Sequence, residues 1–420
     1  MTMTRWRWIL RQMTRRLWLR ASLIGALGVL AAILAAGAEA FIPWNLPGAI
    51  SADAIGNLLT IIASSMLTVA TFSLSTMTSA YGSASSNVTP RAARILISDT
   101  VAQNVLSTFI GSFLFSIVGL VVLNTGAYGK NGRVVLFLVT IFVIVLIVIA
   151  LLHWVDYLTR LGRTAETTRR VEDVTRVALQ ERLEEPFLGG RRFPGSLPEG
   201  CGRVEAREIG YIQFIDMSGL SRCAEEFDTE IFVAVLPGSF VHIGDILAGL
   251  GPLPPEQHEE ACAQIRRAFS IEDLRSFDQD PRFGLAVLTE IALRAMSPAV
   301  NDPGTAIDVV GRQARLMSLW AQGRADKPDA EITHPRIHVP PLRSSDLFED
   351  AFMLIARDGA TMIEVQLRLQ KSLFALRRDG DAEFQAAALA QSRLALGRAL
   401  PALTLEADKE RLMAAAGFGG

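Results

Sequence analysis

The sequence predicts an α-helical transmembrane protein with four spans and a C-terminal α+β cytosolic domain containing a small barrel-sandwich-like β module. Three observations carry that fold class. Half of the 420 residues are hydrophobic and only 20% are charged, against about 25% charged in a soluble chain. The charges are unevenly spread: residues 1–160 hold 11 Lys/Arg and 4 Asp/Glu, whereas residues 161–420 hold 30 and 39. Finally, four uncharged stretches, 21–38, 54–80, 100–127 and 134–155 (His153 aside), all lie in the first part, and each approaches or exceeds the ~20 residues that cross a bilayer. This pattern excludes a purely soluble enzyme, a secreted disulfide scaffold and a disordered tail. A pI near 6.3 excludes a nucleic-acid binder driven by net charge.

The expected organisation follows the chain. Residues 1–20 carry six arginines among Trp6, Trp8 and Trp18 and read as a basic amphipathic segment on an anionic inner leaflet. Residues 21–155 form the membrane domain. The apolar run after the arginines is too long for a signal-peptide core, and three more spans follow it. Arg91 and Arg94 follow span 2, and Arg160, Arg163, Arg169 and Arg170 follow span 4, whereas the loop after span 1 has no Lys or Arg. The positive-inside rule therefore puts both termini in the cytosol. Lys130 and Arg133 run against it. Trp44 and Phe41 are expected at the outer interface.

Span 2 is unusual. Asn57, Ser64, Thr71 and Thr78 recur every seven residues, with Thr60, Thr68 and Ser75 close to the same line. On a helix this is one polar stripe about 30 Å long. It serves either close helix packing through small hydroxyl residues or the lining of a hydrated path, since polar groups facing lipid are costly. Arg91 and Arg94 would sit at its cytosolic mouth, and Glu39 or Asp53 outside. Small residues in span 1 (Ala21, Gly25, Gly28, Ala32, Ala36) and span 3 (Ser107, Gly111, Ser112, Ser116, Gly119) suit close contacts within or between subunits.

Residues 156–186 are expected to carry span 4 into the cytosol as a helix. The Gly/Pro-rich stretch 189–200 ends it. β-type runs follow at 208–216, 230–236 and 239–249. The phrase Pro237-Gly238-Ser239-Phe240-Val241-His242-Ile243-Gly244-Asp245-Ile246-Leu247 resembles the hairpin of lipoyl-like and barrel-sandwich domains, with Val241 and Leu247 filling a small core. Residues 203–251 contain no lysine, so lipoylation or biotinylation is impossible and a structural module over 201–251 remains. From 255 to 420 the pattern is helical, with Phe283, Val287, Leu288, Ile291, Ala292 and Ala295 on one face. Further helices are expected through Ile307–Met317, Leu347–Arg377 and Ala382–Ala399.

Four phrases occur in order around these elements: Thr89-Pro90-Arg91-Ala92-Ala93-Arg94, Gly210-Tyr211-Ile212-Gln213-Phe214-Ile215-Asp216, Asp280-Pro281-Arg282-Phe283-Gly284-Leu285, and residues 297–306. Together they resemble a family of bacterial inner-membrane proteins known only as a domain of unknown function. The resemblance covers nearly the whole chain. It implies a bacterial cytoplasmic-membrane location and a cytosolic domain, and it brings no activity and no catalytic residues.

The chemistry-bearing motifs are absent. There is no G-x-x-x-x-G-K-[ST], no G-x-G-x-x-G after a strand, no H-E-x-x-H and no G-x-S-x-G. Cys201, Cys223 and Cys262 form neither a disulfide framework nor a zinc set, and the five histidines are scattered. No cofactor, metal or catalytic group is expected, and the chain is not expected to be an enzyme. The loop from Ser297 to Thr305 remains. Asp302 suits an N-cap and Pro303 the first helical position, so the loop is a capped helix connection. The competing reading is a ligand or subunit contact using Arg294, Ser297, Asn301, Asp302 and Thr305, at a helix N-terminus that favours anions. The functional expectation is a homo-oligomeric channel or pore. Span 2 of each subunit lines the path, the cytosolic domain acts as gate, and the partners are lipid, further copies of the chain and ions. The alternative is a non-conducting membrane-anchored scaffold or sensor.

Overall fold

The computed structural model describes residues 17–41, 51–97, 99–161, 163–326 and 331–417. Residues 1–16 of the basic N-terminal segment, and Trp44, lie outside the described residues. The chain divides into two units. Within the described residues, one comprises 17–86 and 93–166, and the other 87–92 and 167–417.

The first unit is helical: α1 (Leu17–Phe41), α2 (Ala52–Asn87), the short α3 (Pro90–Ile97), α4 (Thr100–Asn124) and α5 (Lys130–Arg160). Three of these contain stretches long and apolar enough to cross a membrane: Ala52–Ser86, Thr100–Asn124 and Asn131–Thr159. The first expected span lies within the 25-residue helix α1, whose described apolar part, Ser22–Leu34, is shorter. Asp99 starts α4 by accepting from the Val101 N–H at 2.8 Å, which satisfies one of the donors a helix start leaves unpaired.

Small residues bring α1 and α4 together inside one chain, which resolves the choice between intra- and intersubunit use for part of these faces. A Cβ on Gly28 would sit 3.0 Å from the Gly111 carbonyl oxygen, and one on Gly111 would sit 2.7 Å from Cγ2 of Ile24. The Tyr128 hydroxyl closes the same corner by donating to Ala32 O at 2.8 Å. Helix α2 contributes one face, with Ile55, Leu59, Ile62, Met66, Ala70 and Met77 buried beside Phe109 and Phe115 of α4 and Leu136 and Ile147 of α5.

Helix α5 stops at Arg160, and Leu161 has an extended backbone (ψ 135°). The expected continuous helix to Gln180 is therefore two helices. The second, α6 (Thr164–Glu184), opens the larger unit and buries Val171, Ala178, Leu179 and Leu183.

The β strands of this unit are β1 (Arg191–Arg192), β2 (Gly202–Glu205), β3 (Gly210–Ile215), β4 (Ile231–Val233), β5 (Phe240–Val241), β6 (Ile246–Leu250), β7 (Phe269–Glu272) and β8 (Ile337–Val339). They form a five-stranded sheet in the order β1-β8-β4-β6-β2 and a three-stranded sheet in the order β5-β3-β7. The expected hairpin at 239–249 is not one: β5 pairs with β3, and β6 pairs with β2 and β4. A tight turn stands between them. The His242 N–H donates to Asp245 Oδ2 at 2.8 Å and the Asp245 N–H to His242 O at 3.1 Å, and the chain leaves this turn for the other sheet. Val241 and Leu247 still meet in one shared core, with Val204, Ile212, Ile231 and Val339. The strands also draw partners from outside 201–251, and helices α7 (Met217–Glu226) and α8 (Pro255–Ala268) contribute Leu220 and Ile265 to the same core.

The remaining helices are α9 (Pro281–Ala295), α10 (Pro303–Asp326), α11 (Ser344–Phe348), a π-helical turn (Glu349–Met353), α12 (Leu354–Asp358), α13 (Ile363–Leu376), α14 (Ala382–Ala402) and α15 (Glu406–Ala415). The stretch expected as one helix over 347–377 is thus broken twice. The π-turn offsets the hydrogen-bond ladder, and Gly359 ends α12 with its N–H on Ile355 O at 3.0 Å.

Replacing Gly111 by Val should force α1 from α4 and lower stability by about 1–3 kcal/mol, the usual cost of overpacking. Thermal unfolding of the detergent-solubilised protein measures this. Gly82→Ala, inside α2 where an added Cβ meets nothing within 4 Å, should not lower the melting temperature and should add up to about 1 kcal/mol of stability through helix propensity.

Candidate functional site

Two regions concentrate polar chemistry, one in each unit. In the first, the seven residues singled out on span 2 all lie on α2 and all are exposed: Asn57, Thr60, Ser64, Thr68, Thr71, Ser75 and Thr78. At 100° per residue they centre opposite the face that buries Ile55, Leu59, Met66, Ser73 and Met77. Among the described residues, nothing of the same chain buries the stripe. Most of its hydroxyls turn back onto their own helix. Thr60 donates to Gly56 O at 2.8 Å, Ser64 to Thr60 O at 3.0 Å, Thr68 to Ser64 O at 2.9 Å, Thr71 to Thr68 O at 2.9 Å and Thr78 to Leu74 O at 2.9 Å. Large apolar side chains flank the stripe, among them Ile61 and Phe72, 61% and 64% exposed. Arg91, expected at the cytosolic mouth, groups with the larger unit and forms an ion pair with Glu290 of α9. The side chain of Glu39 lies outside the described residues.

The Ser297–Thr305 loop is a closed local structure. Asp302 Oδ1 accepts from the Thr305 N–H at 3.1 Å and Oδ2 from the Thr305 hydroxyl at 2.6 Å. These bonds hold the Asp302 carboxyl below its ordinary range. Asn301 takes a left-handed backbone (φ 49°), its N–H donates to Ser297 O at 2.9 Å, and Ser297 Oγ donates to Arg294 O at 2.7 Å. Arg294 is exposed.

The second region is a cavity of about 340 Å³ in the larger unit. Its walls are the end of α6, the β4–β5 connection, the residues leading into α9, and the segment from Pro340 to Asp346. Sequence reasoning missed it, because its arginines are scattered over Arg182, Arg275, Arg282 and Arg343. Asp280 sets the geometry. Its buried carboxylate accepts from Arg275 Nε at 2.8 Å and Nη2 at 3.0 Å, and it caps α9 by accepting from the Phe283 N–H at 3.1 Å. Burial raises its pKa against the opposing pull of Arg275 and the Phe283 amide. Gly238, with φ 91°, lies directly on this carboxylate: a Cβ there would come within 2.2 Å of Asp280 Oδ2. Arg282 turns the other way, to Asp350 (Nε–Oδ2 2.5 Å) and Asp346 (Nη1–Oδ2 3.2 Å).

Arg182 is 4% exposed. Its Nη2 donates to Gln279 O at 3.1 Å, whereas its buried Nη1 meets no acceptor among the described residues. Burial pushes its pKa down to about 10, with Asp280 and Glu185 pulling the other way, so it stays a cation at neutral pH. Among the described residues neither Arg182 nor Arg343 forms an ion pair.

A family model described as Predicted membrane protein (DUF2254) matches residues 14–375. The chain belongs to this family. Uncharacterized proteins of Mycobacterium bovis and Mycobacterium tuberculosis are 28% identical over 280 residues, which is 64% of this chain and 53% of theirs. The chain thus spans about half the length of these curated relatives. No solved structure matches it. Two of the phrases that carried the DUF2254 resemblance meet beside the cavity. The Ile215 N–H, at the end of β3, donates to Gln279 Oε1 at 2.9 Å, and Gln279 leads into the Asp280-Pro281-Arg282 start of α9. Among the described residues no group of three or more His, Cys, Asp or Glu is placed to hold a metal ion. The thiols of Cys201, Cys223 and Cys262 are all raised, chiefly by burial, which opposes nucleophilic reactivity.

Asp302→Ala should cost about 1 kcal/mol of stability through loss of the cap, read as a lower melting temperature. A second expected outcome concerns buried Glu172 of α6, which accepts from Arg312 at 2.7 Å and from Arg315 at 2.9 and 3.0 Å. Burial presses its pKa up, but Arg315 and Arg312 outweigh this and hold it below the ordinary 4.5. Its contribution is therefore present above pH 4.5 and is lost as pH falls through the folded-state value. Melting temperature should fall with acidification below pH 4.5, less steeply in Glu172→Gln.

Proposed function

We propose that this protein is a homo-oligomeric channel of the bacterial inner membrane. Each chain crosses four times, with α1 as the fourth span and both termini in the cytosol. The polar face of α2 from each subunit lines a shared path, and the larger unit serves as cytosolic gate or vestibule. One observation carries this reading: the stripe from Asn57 to Thr78 lies on the side of α2 opposite its buried face. One helix cannot enclose water, so a hydrated stripe requires several subunits around an axis. Hydroxyls whose protons are used on their own helix keep oxygen lone pairs turned outward as acceptors, a lining suited to a weakly selective path. No charged side chain belongs to the stripe, so no ion is assigned.

A second reading rests on the same hydrogen bonds. Ser and Thr that bond back to the helix satisfy their donors without water, so the face also suits close packing in a non-conducting scaffold or sensor. Cysteines placed at 64, 68, 71 and 75 separate the two. In the channel they react with a membrane-impermeant thiol reagent in the reconstituted protein, while cysteines at Ile62 and Val69 do not. Purified protein should conduct in planar bilayers, and Thr71→Leu should reduce conductance sharply by adding bulk and dewetting the path. Absence of current together with equal inertness at all six positions would replace the channel by the scaffold.

A further inference from the structure

We infer that the arginine-lined cavity of the larger unit binds a small molecule through a phosphate group. The inference does not depend on the channel reading. It starts from a buried guanidinium that has no ion pair among the described residues. A buried guanidinium is costly unless it is paired and hydrogen-bonded, and buried polar atoms are almost always satisfied. Arg275 is answered by Asp280, and Arg282 by Asp350 and Asp346. Arg182, on the wall of the cavity, forms no ion pair among the described residues: Asp280 and Glu185 act on it from beyond ion-pair distance, and its buried Nη1 has no hydrogen-bond partner there. Arg343 brings a second cation without an ion pair to the same cavity from an exposed position.

The two cations without an ion pair select the ligand class. Guanidinium forks match phosphate oxygens in geometry as well as charge, and two of them suit a dianion better than a single carboxylate. The paired arginines also matter. Asp280 holds Arg275, and Asp350 holds Arg282, so a ligand would enter a wall already fixed by ion pairs. The cavity volume of about 340 Å³ lies at the lower end of small-molecule sites, which run from about 300 to 1,000 Å³. That admits a phosphate with a few attached carbons. A soluble phosphomonoester and the head group of a phosphatidic acid share this chemistry.

The test uses the full-length protein in neutral detergent. Inorganic phosphate and glycerol phosphate should raise the melting temperature in a saturable way, and chloride at matched ionic strength should not. Arg182→Gln and Arg343→Gln should each weaken the apparent affinity about tenfold or more, in line with the loss of a charge-assisted hydrogen bond. Arg294→Gln, on the exposed α9–α10 connection, should behave as wild type. If Arg182→Gln fails to fold, the exposed Arg343→Gln carries the test alone. Nanodiscs with and without phosphatidic acid identify the source. A response to the free phosphates assigns a soluble ligand. A response only to phosphatidic acid, abolished by the same substitutions, assigns a lipid head group. The inference is overturned by the absence of any phosphate-specific response, or by a response that both substitutions leave intact. It is equally overturned if Arg182→Gln raises the melting temperature while phosphate affinity stays unchanged, since the arginine would then be only a solvated, destabilising charge.

Discussion

The larger unit is organised around the Asp280 carboxylate. A carboxylate this deeply buried must be hydrogen-bonded from several sides or it destabilises the fold. Asp280 meets the requirement with three donors from two stretches of chain: both nitrogens of Arg275, in the segment after β7, and the backbone of Phe283, in the first turn of α9. The β4–β5 connection is fixed as well, because only a residue without a side chain fits where Gly238 lies on the carboxylate. Once these are set, Pro281 starts the helix and Arg282 points to the π-turn at Asp350. Asp280 thereby couples the three-stranded sheet to the helical half of the unit.

The π-turn extends that coupling. Its offset ladder leaves carbonyls free to accept from outside, and two helices use them. The Thr289 hydroxyl donates to Asp350 O at 2.7 Å, and Gln313 Nε2 donates to Ala351 O at 3.0 Å and to the Thr289 hydroxyl at 2.8 Å. One turn lower in the bundle, Gln370 donates to Ser392 O at 3.1 Å while the Ser392 hydroxyl donates back to Gln370 Oε1 at 2.6 Å. Helices α9, α10, α13 and α14 are thus held in register by buried amide and hydroxyl pairs as well as by apolar packing. Such pairs tolerate little displacement, because a shifted helix would leave both partners unsatisfied.

What the sequence made legible follows from what each signal depends on. Hydropathy and helical period depend only on nearby residues, and they predicted α2, α4, α5, α9 and α10. Capping chemistry is equally local, so Asp302-Pro303 was readable as a helix start. Strand pairing depends on partners far apart in the chain. The run at 239–249 has the alternation and glycines of a hairpin, yet its halves belong to different sheets, because β3 and β4 compete for them. Strands β1, β7 and β8 are two to four residues long and leave no period to read. The cavity is hidden for the same reason. Its four arginines span Arg182 to Arg343, and nothing in the spacing distinguishes them from solvated surface charges until the fold gathers them.

The two units handle polar groups away from bulk water differently. On α2, each of Thr60, Ser64, Thr68, Thr71 and Thr78 satisfies its own proton within one helical turn, so no long-range contact is needed to keep the stripe at membrane depth. Asn57, whose amide has no such bond to its own helix, stands in the second turn of α2. The stripe is therefore compatible with lipid, with a second helix and with water alike. The larger unit instead pairs buried charges across elements: Asp280 with Arg275, Arg282 with Asp350 and Asp346, and Glu172 with Arg312 and Arg315. Against that background Arg182 stands out. Its guanidinium is held on one side by the Gln279 carbonyl, its Nη1 is buried without a hydrogen-bond partner among the described residues, and Arg343 is a second arginine of the same wall without an ion pair.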